Sequence, residues 1–141
     1  MTEVSPKGPS AQVRAADLYR PAEVGERTAL RASQCPACSR ACFPARTSCP
    51  ACGADSTELE LAGPARLRVL TGVLAQPPGS LVAAPYSVGV AEFDLAAGGI
   101  CVIGLIHGPA DRGDVVVPVV VAPYAGGRIF GFRREVAVSP A

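Results

Sequence analysis

The sequence has no tryptophan, one histidine, one methionine and one lysine, and only 5% of its residues are aromatic. Aromatics this scarce offer few stacking platforms of the kind that hold single-stranded nucleic acid. Neither sign of charge dominates: 13 Lys and Arg face 12 Asp and Glu, a formal net charge of +1. That balance lacks the excess that drives generic binding to phosphate backbones or anionic membranes. Long apolar runs are missing too. The longest, such as Ile100 to Ile106 and Val115 to Val121, are far below the roughly 20 residues that cross a bilayer as a helix. Residues 1–10 mix Glu3 and Lys7 with small polar residues and have no apolar core, so they do not read as a secretory signal. The expectation is a soluble, cytoplasmic protein. Walker loops, Gly-x-Ser-x-Gly elbows and dinucleotide fingerprints are lacking, and the scattered carboxylates form no recognisable acid/base pair. At 141 residues the chain is one ordinary domain, or two very small ones, and too short for a multidomain enzyme.

What is present is apolar and heavily punctuated. A hydrophobic fraction of 49%, broken by 15 Gly and 14 Pro, predicts a mainly β fold of short strands joined by turns. Residues 1–14 read as a disordered tail, and residues 15–33 as a short N-terminal helical segment interrupted at Pro21 and ending in a brief strand from Leu30 to Gln34. Residues 34–62 form a cysteine lobe, and residues 63–141 an all-β module. Five strands are expected there: Ala65 to Leu74, Tyr86 to Asp94, Gly99 to His107, Val115 to Val121 and Arg128 to Val136, with a turn at residues 96–99. In the first of them Leu67, Val69 and Thr71 share one face, opposite Arg66, Arg68 and Leu70. Five antiparallel strands suit a small closed barrel of the OB type, with a small sandwich as the alternative.

Five of the six cysteines fall between Cys35 and Cys52, and in a reducing compartment such crowding reads as metal coordination. Cys35-Pro36-Ala37-Cys38 and Cys49-Pro50-Ala51-Cys52 are two CxxC knuckles separated by ten residues, enough for a hairpin to bring them together. Each knuckle lets two thiolates reach one ion, and two knuckles supply the four ligands of tetrahedral Zn²⁺. Iron, or a redox pair, are the other chemistries such cysteines serve. A four-thiolate site has no open position for water or substrate, so its ion would be structural. Cys42 lies outside the spacing. Cys101 sits in an apolar strand, where a free cysteine behaves as a small hydrophobe. Neither is expected to be a ligand.

His107 ends a strand and is followed by Gly108-Pro109, with no nucleophile or orienting partner signalled nearby. It reads as a polar strand-end residue. Arg40, Arg46, Arg66 and Arg68 either converge where the lobes meet, to clamp a phosphate, or stand separately in solvent. A single-stranded nucleic-acid-binding OB module and a rubredoxin-like redox protein are therefore the competing functional readings.

The order of parts resembles a known family. A short N-terminal segment, a rubredoxin-like zinc ribbon with Phe43-Pro44-Ala45-Arg46 between its knuckles and Gly53 after the second, then a compact barrel closing with Gly131-Phe132-Arg133, is similar to the zinc-ribbon/OB-fold proteins that accompany thiolases. The resemblance covers roughly residues 20–135. The chain departs from the family's pattern at Ser39, where glycine is usual, and at Pro118, which suggests an edge strand or a bulge. The resemblance implies a noncatalytic accessory subunit holding one structural Zn²⁺ through Cys35, Cys38, Cys49 and Cys52. It also implies docking on a thiolase-fold enzyme in a hetero-oligomer such as a heterotetramer. The implied chemistry is that of acyl-CoA thioesters in lipid or steroid metabolism: thiolysis or condensation, acyl transfer, or retro-aldol cleavage. Arg40 and Arg46, in an exposed basic loop, are the candidates for contact with the CoA phosphates.

Overall fold

Short apolar runs broken by glycine and proline favour strands over helices. In the computed structural model of this chain, which describes residues 14–95 and 98–135, eight strands carry the fold. The expected tail falls almost wholly outside the described residues, as do the centre of the expected turn at 96–99 and the end of the last expected strand. Helix among the described residues is limited to one 3-10 turn, Ala15–Asp17. Beyond it residues 18–29 hold isolated bridges and a turn rather than a helix, because a segment this short, interrupted by Pro21, cannot offset the cost of nucleating a helix. Tyr19 instead bridges Leu30, and Arg27 bridges Val119.

The first sheet is three-stranded, in the order β2-β1-β3, with β1 Leu30–Gln34, β2 Ala41–Cys42 and β3 Thr57–Leu61. Gly63-Pro64 then leads into β4 Ala65–Val73, followed by β5 Tyr86–Phe93, β6 Ile100–Ile106, β7 Val115–Val121 and β8 Ile129–Arg134. These five close into a barrel in the order β4-β5-β6-β8-β7. Only the β6–β8 contact is parallel. This is the OB-type arrangement expected, with most strand edges consumed by closure.

Two details depart from the simple alternating pattern. In β4 the register slips between Leu67 and Val69, leaving Arg68 as the extra residue of a bulge. A bulge inverts the inward and outward parity of the residues after it. Val69 is therefore 48% exposed and Thr71 is exposed, while Leu70 turns toward the core, the reverse of the expected faces. In β7, Pro118 lies in mid-strand, where a missing N–H would normally break a ladder. The proline is tolerated because that side of β7 faces residues 25–28 rather than a full strand. The Thr28 amide donates to the Pro118 carbonyl, Gly25 donates to Val120, and the Val120 amide donates to Glu26. Pro118 thus marks a strand edge that the N-terminal segment seals.

The core is continuous from the small sheet into the barrel. Leu30, Ala32 and Leu61 belong to the same buried cluster as Leu67, Phe93 and Phe132.

Candidate functional site

The four knuckle cysteines come together at the end of β1 and in the loop before β3. Their sulfurs all lie within 4.8 Å of one another. Cys35 Sγ is 3.5 Å from Cys52 Sγ, Cys38 Sγ is 3.6 Å from Cys49 Sγ, and Cys52 Sγ is 3.9 Å from Cys38 Sγ. Zn–S bonds of about 2.3 Å in a tetrahedron place sulfurs about 3.8 Å apart, so the set fits zinc with little rearrangement.

The two knuckles are built alike. The Ser39 amide donates to the Cys35 carbonyl and the Cys35 amide to Arg40; the Gly53 amide donates to Cys49 and the Cys49 amide to Ala54. Each turn needs a residue of positive φ at the same place, Gly53 at 79° and Ser39 at 68°. Serine keeps the turn that glycine makes in the second knuckle, against a steric penalty. Amides also point at the sulfurs, Cys38 N–H toward Cys35 Sγ and Ala51 N–H toward Cys49 Sγ.

These amides and the crowding of sulfur set the electrostatics. The Cys38 amide holds the Cys35 thiol below its ordinary value. The amides of Cys52 and Ala51 lower Cys49 to about 6. Cys52 feels a lowering pull from the Ala54 amide, but the neighbouring thiols and burial outweigh it and push it up to about 11. Without a cation the four sulfurs cannot all ionise; a divalent ion relieves that conflict. All four positions of a tetrahedral ion would be filled by thiolate, leaving cohesion as the chemistry it supplies.

The remaining sequence candidates are dispersed. Cys42, in β2, is half-buried opposite Ser33. Cys101 is exposed, not packed as a small hydrophobe, because Val102 takes the inward position of β6. Arg66 donates to the Gly113 carbonyl at 2.7 Å, and Arg68 is ion-paired with Glu92, so neither joins a common arginine clamp. Arg40 borders a cleft of about 290 Å³ between the first knuckle and Leu95, Gly98 and Gly99. The exposed Arg46 has its amide fixed by the hydroxyl of Ser33, which is buried. Ser33 carried no sequence signal, since its role depends on a contact thirteen residues away. Phe93, Phe130 and Phe132 are buried in the core and unavailable for base stacking.

His107 sits at the end of β6, its amide donating to the Phe132 carbonyl at 2.8 Å. It lines an apolar groove of about 260 Å³ with Val24, Val82, Tyr86, Leu105 and Val121. Sequence reasoning missed this groove, which draws on four separate segments. The one trace in the sequence is the lack of charged residues from Val69 to Ala91.

Residues 23–58 match the family model described as ChsH2, rubredoxin-like zinc ribbon domain. The zinc-ribbon part of the resemblance is thus matched. Among solved structures the chain is similar to the Ltp2-ChsH2(DUF35) aldolase, at 25% identity and a TM-score of 0.59, over 77% of this chain and 86% of that one. It also matches a protein of unknown function from the DUF35 family of Sulfolobus solfataricus, at 18% identity and a TM-score of 0.49, over 76% of each chain. No curated protein matches.

Proposed function

We propose that the chain is a noncatalytic subunit that docks on a thiolase-superfamily enzyme and supports its acyl-CoA chemistry. The observation that carries this reading is the likeness, over 77% of this chain and 86% of that one, to a chain of a two-protein aldolase. That likeness favours retro-aldol C–C cleavage of a CoA ester over thiolysis, condensation or acyl transfer, a steroid side-chain ester being the case the resemblance implies. Cys35, Cys38, Cys49 and Cys52 hold one structural Zn²⁺, and the enzyme chain supplies the reacting groups. Two features of this chain support that division. Its four-thiolate set leaves no open coordination position, and its one histidine, His107, faces Val24, Tyr86, Leu105 and Val121 rather than a nucleophile and a carboxylate. Arg40 and Arg46, both exposed on the ribbon, meet the CoA phosphates. The assembly is a cytoplasmic hetero-oligomer, a heterotetramer in the simplest form.

Affinity purification of the tagged chain from its native host at moderate salt tests the reading. A thiolase-fold chain recovered in near-equal amount, identified by mass spectrometry, is the expected result. Recovery of this chain alone, or with nucleic acid, overturns it.

A further inference from the structure

Of the large apolar side chains exposed among the described residues, Val69 and Ile103 lie on one strand face and Val24 in the nearby groove. Val69, Val90 and Ile103 stand in register across β4, β5 and β6, and directly paired residues share a face. Val69 is 48% and Ile103 65% exposed, so this row lies on the outside. The neighbouring row, Thr71, Val88 and Leu105, runs beside it. Leu105 also lines the groove of about 260 Å³ at the end of β6. Two further exposed side chains, Leu81 and Tyr124, adjoin in sequence the groove residues Val82 and Pro123. Sheet face and groove are one surface.

Its chemistry narrows the occupant. No Asp, Glu, Lys or Arg occurs in the 23 residues from Val69 to Ala91, although the chain holds 25 such residues elsewhere. The cation flanking Val69, Arg68, is already paired with Glu92, so the face offers little to a phosphate, whether of nucleic acid, CoA or an anionic lipid. Its complement must be uncharged as well, because a charge buried against it would go unpaired. The groove is smaller than the roughly 300–1,000 Å³ of small-molecule sites. It suits one anchoring side chain of the kind that dominates protein interfaces. Monomers rarely leave an apolar patch of this kind uncovered.

We infer that the Val69–Val90–Ile103 face, continued by Leu81 and the groove at Leu105, is where an uncharged apolar patch of the partner enzyme docks. A large aliphatic or aromatic side chain of that enzyme sits in the groove. The inference rests on the two-protein reading above, and it assigns docking and CoA contact to different places. Arg40 borders the Gly98–Gly99 end of β6 and the groove the opposite end, about 20 Å along the strand.

The test places the photo-cross-linker p-benzoylphenylalanine at Leu81, Ile103 or Glu58 of the full chain, mixed with the enzyme chain recovered by affinity purification. Cross-links to the enzyme from positions 81 and 103 and not from 58 are expected. Leu81→Asp and Ile103→Asp each weaken enzyme binding about 30-fold or more, with zinc content and melting temperature unchanged because both side chains are exposed. Cross-links to the enzyme from position 58 alone overturn the inference and leave the two-protein reading standing. Cross-links between two copies of this chain at position 103 assign the face to self-association and also overturn it. Failure to recover any enzyme chain with the unsubstituted protein removes both.

Discussion

Phe43, in the loop between the two cysteine pairs, meets Phe130 of β8 edge-on, with ring centroids 5.5 Å apart and planes at 89°. Phe130 lies 5.9 Å from Phe132, and Phe132 lies 6.1 Å from Phe93. Four rings thus run from the cysteine lobe into the barrel, and the lobe's position is read directly by the barrel's core. The Phe-Pro-x-Arg segment, which a zinc ribbon does not itself require, gains a structural purpose here: its phenylalanine fastens one unit to the other.

Phe43→Ala should destabilise the chain by about 2–3 kcal/mol, less than the ~3–5 of a fully buried phenylalanine because Phe43 is half-buried. A double-mutant cycle of Phe43→Leu with Phe130→Leu, followed by urea unfolding, should return a coupling of about 0.5–1.5 kcal/mol. Zero coupling would mean that the lobe and barrel are energetically independent.

Elemental analysis should find one zinc per chain, and Cys49→Ser or chelation should abolish it. Since the rings join the lobe to the barrel, metal loss should lower the melting temperature of the whole chain in one transition rather than melt β1–β3 separately. Acid should release the ion, because protons compete for thiolate. Cys42→Ser and Cys101→Ser should retain the full complement of zinc. A coloured protein would indicate iron instead.

Ser39 holds a left-handed conformation at φ 68° that glycine adopts without strain. Ser39→Gly should therefore stabilise the chain by about 0.5–1 kcal/mol, the relief of strain exceeding the extra entropy of the unfolded state. Gly53→Ser, the reciprocal change at φ 79°, should cost a similar amount. Both are read from urea midpoints. Destabilisation by Ser39→Gly would show that the serine side chain contributes something the turn alone does not.

Arg46→Ala and Arg40→Ala should raise KM for the acyl-CoA in the assembled enzyme by about fivefold to tenfold with kcat unchanged, the pattern of an exposed charge-assisted contact to substrate. Arg66→Ala should leave KM alone, since that guanidinium is held by the Gly113 carbonyl. An unchanged KM for Arg46→Ala removes Arg46 from the CoA site.

Local chemistry made the four-cysteine cluster and the barrel strands legible. Two CxxC spacings specify a site whatever surrounds them, and β-branched runs such as Val115–Val121 announce strands wherever they pack. What escaped the sequence was decided by partners far away in the chain. The bulge at Arg68 left Leu70 rather than Val69 facing the core, and nothing in the alternation of β4 announces it. Residues 25–28 carry no strand pattern, yet they seal the edge of β7 beside Pro118. Cys101 looked buried because its strand is apolar on both faces, and that same two-sided apolarity is the mark of the uncharged surface at Val90 and Ile103. The groove beside His107 was invisible for the same reason, being assembled from segments as distant as Val24 and Val121.

As a docking subunit, this chain should enable a reaction it does not itself perform. The most direct measurement is C–C cleavage of an acyl-CoA by the recovered enzyme chain, by this chain, and by the two combined at equal concentration. Turnover is expected from the combination, none from this chain alone, and little from the enzyme chain alone. Turnover by this chain alone, or an enzyme rate indifferent to its addition, would contradict that expectation.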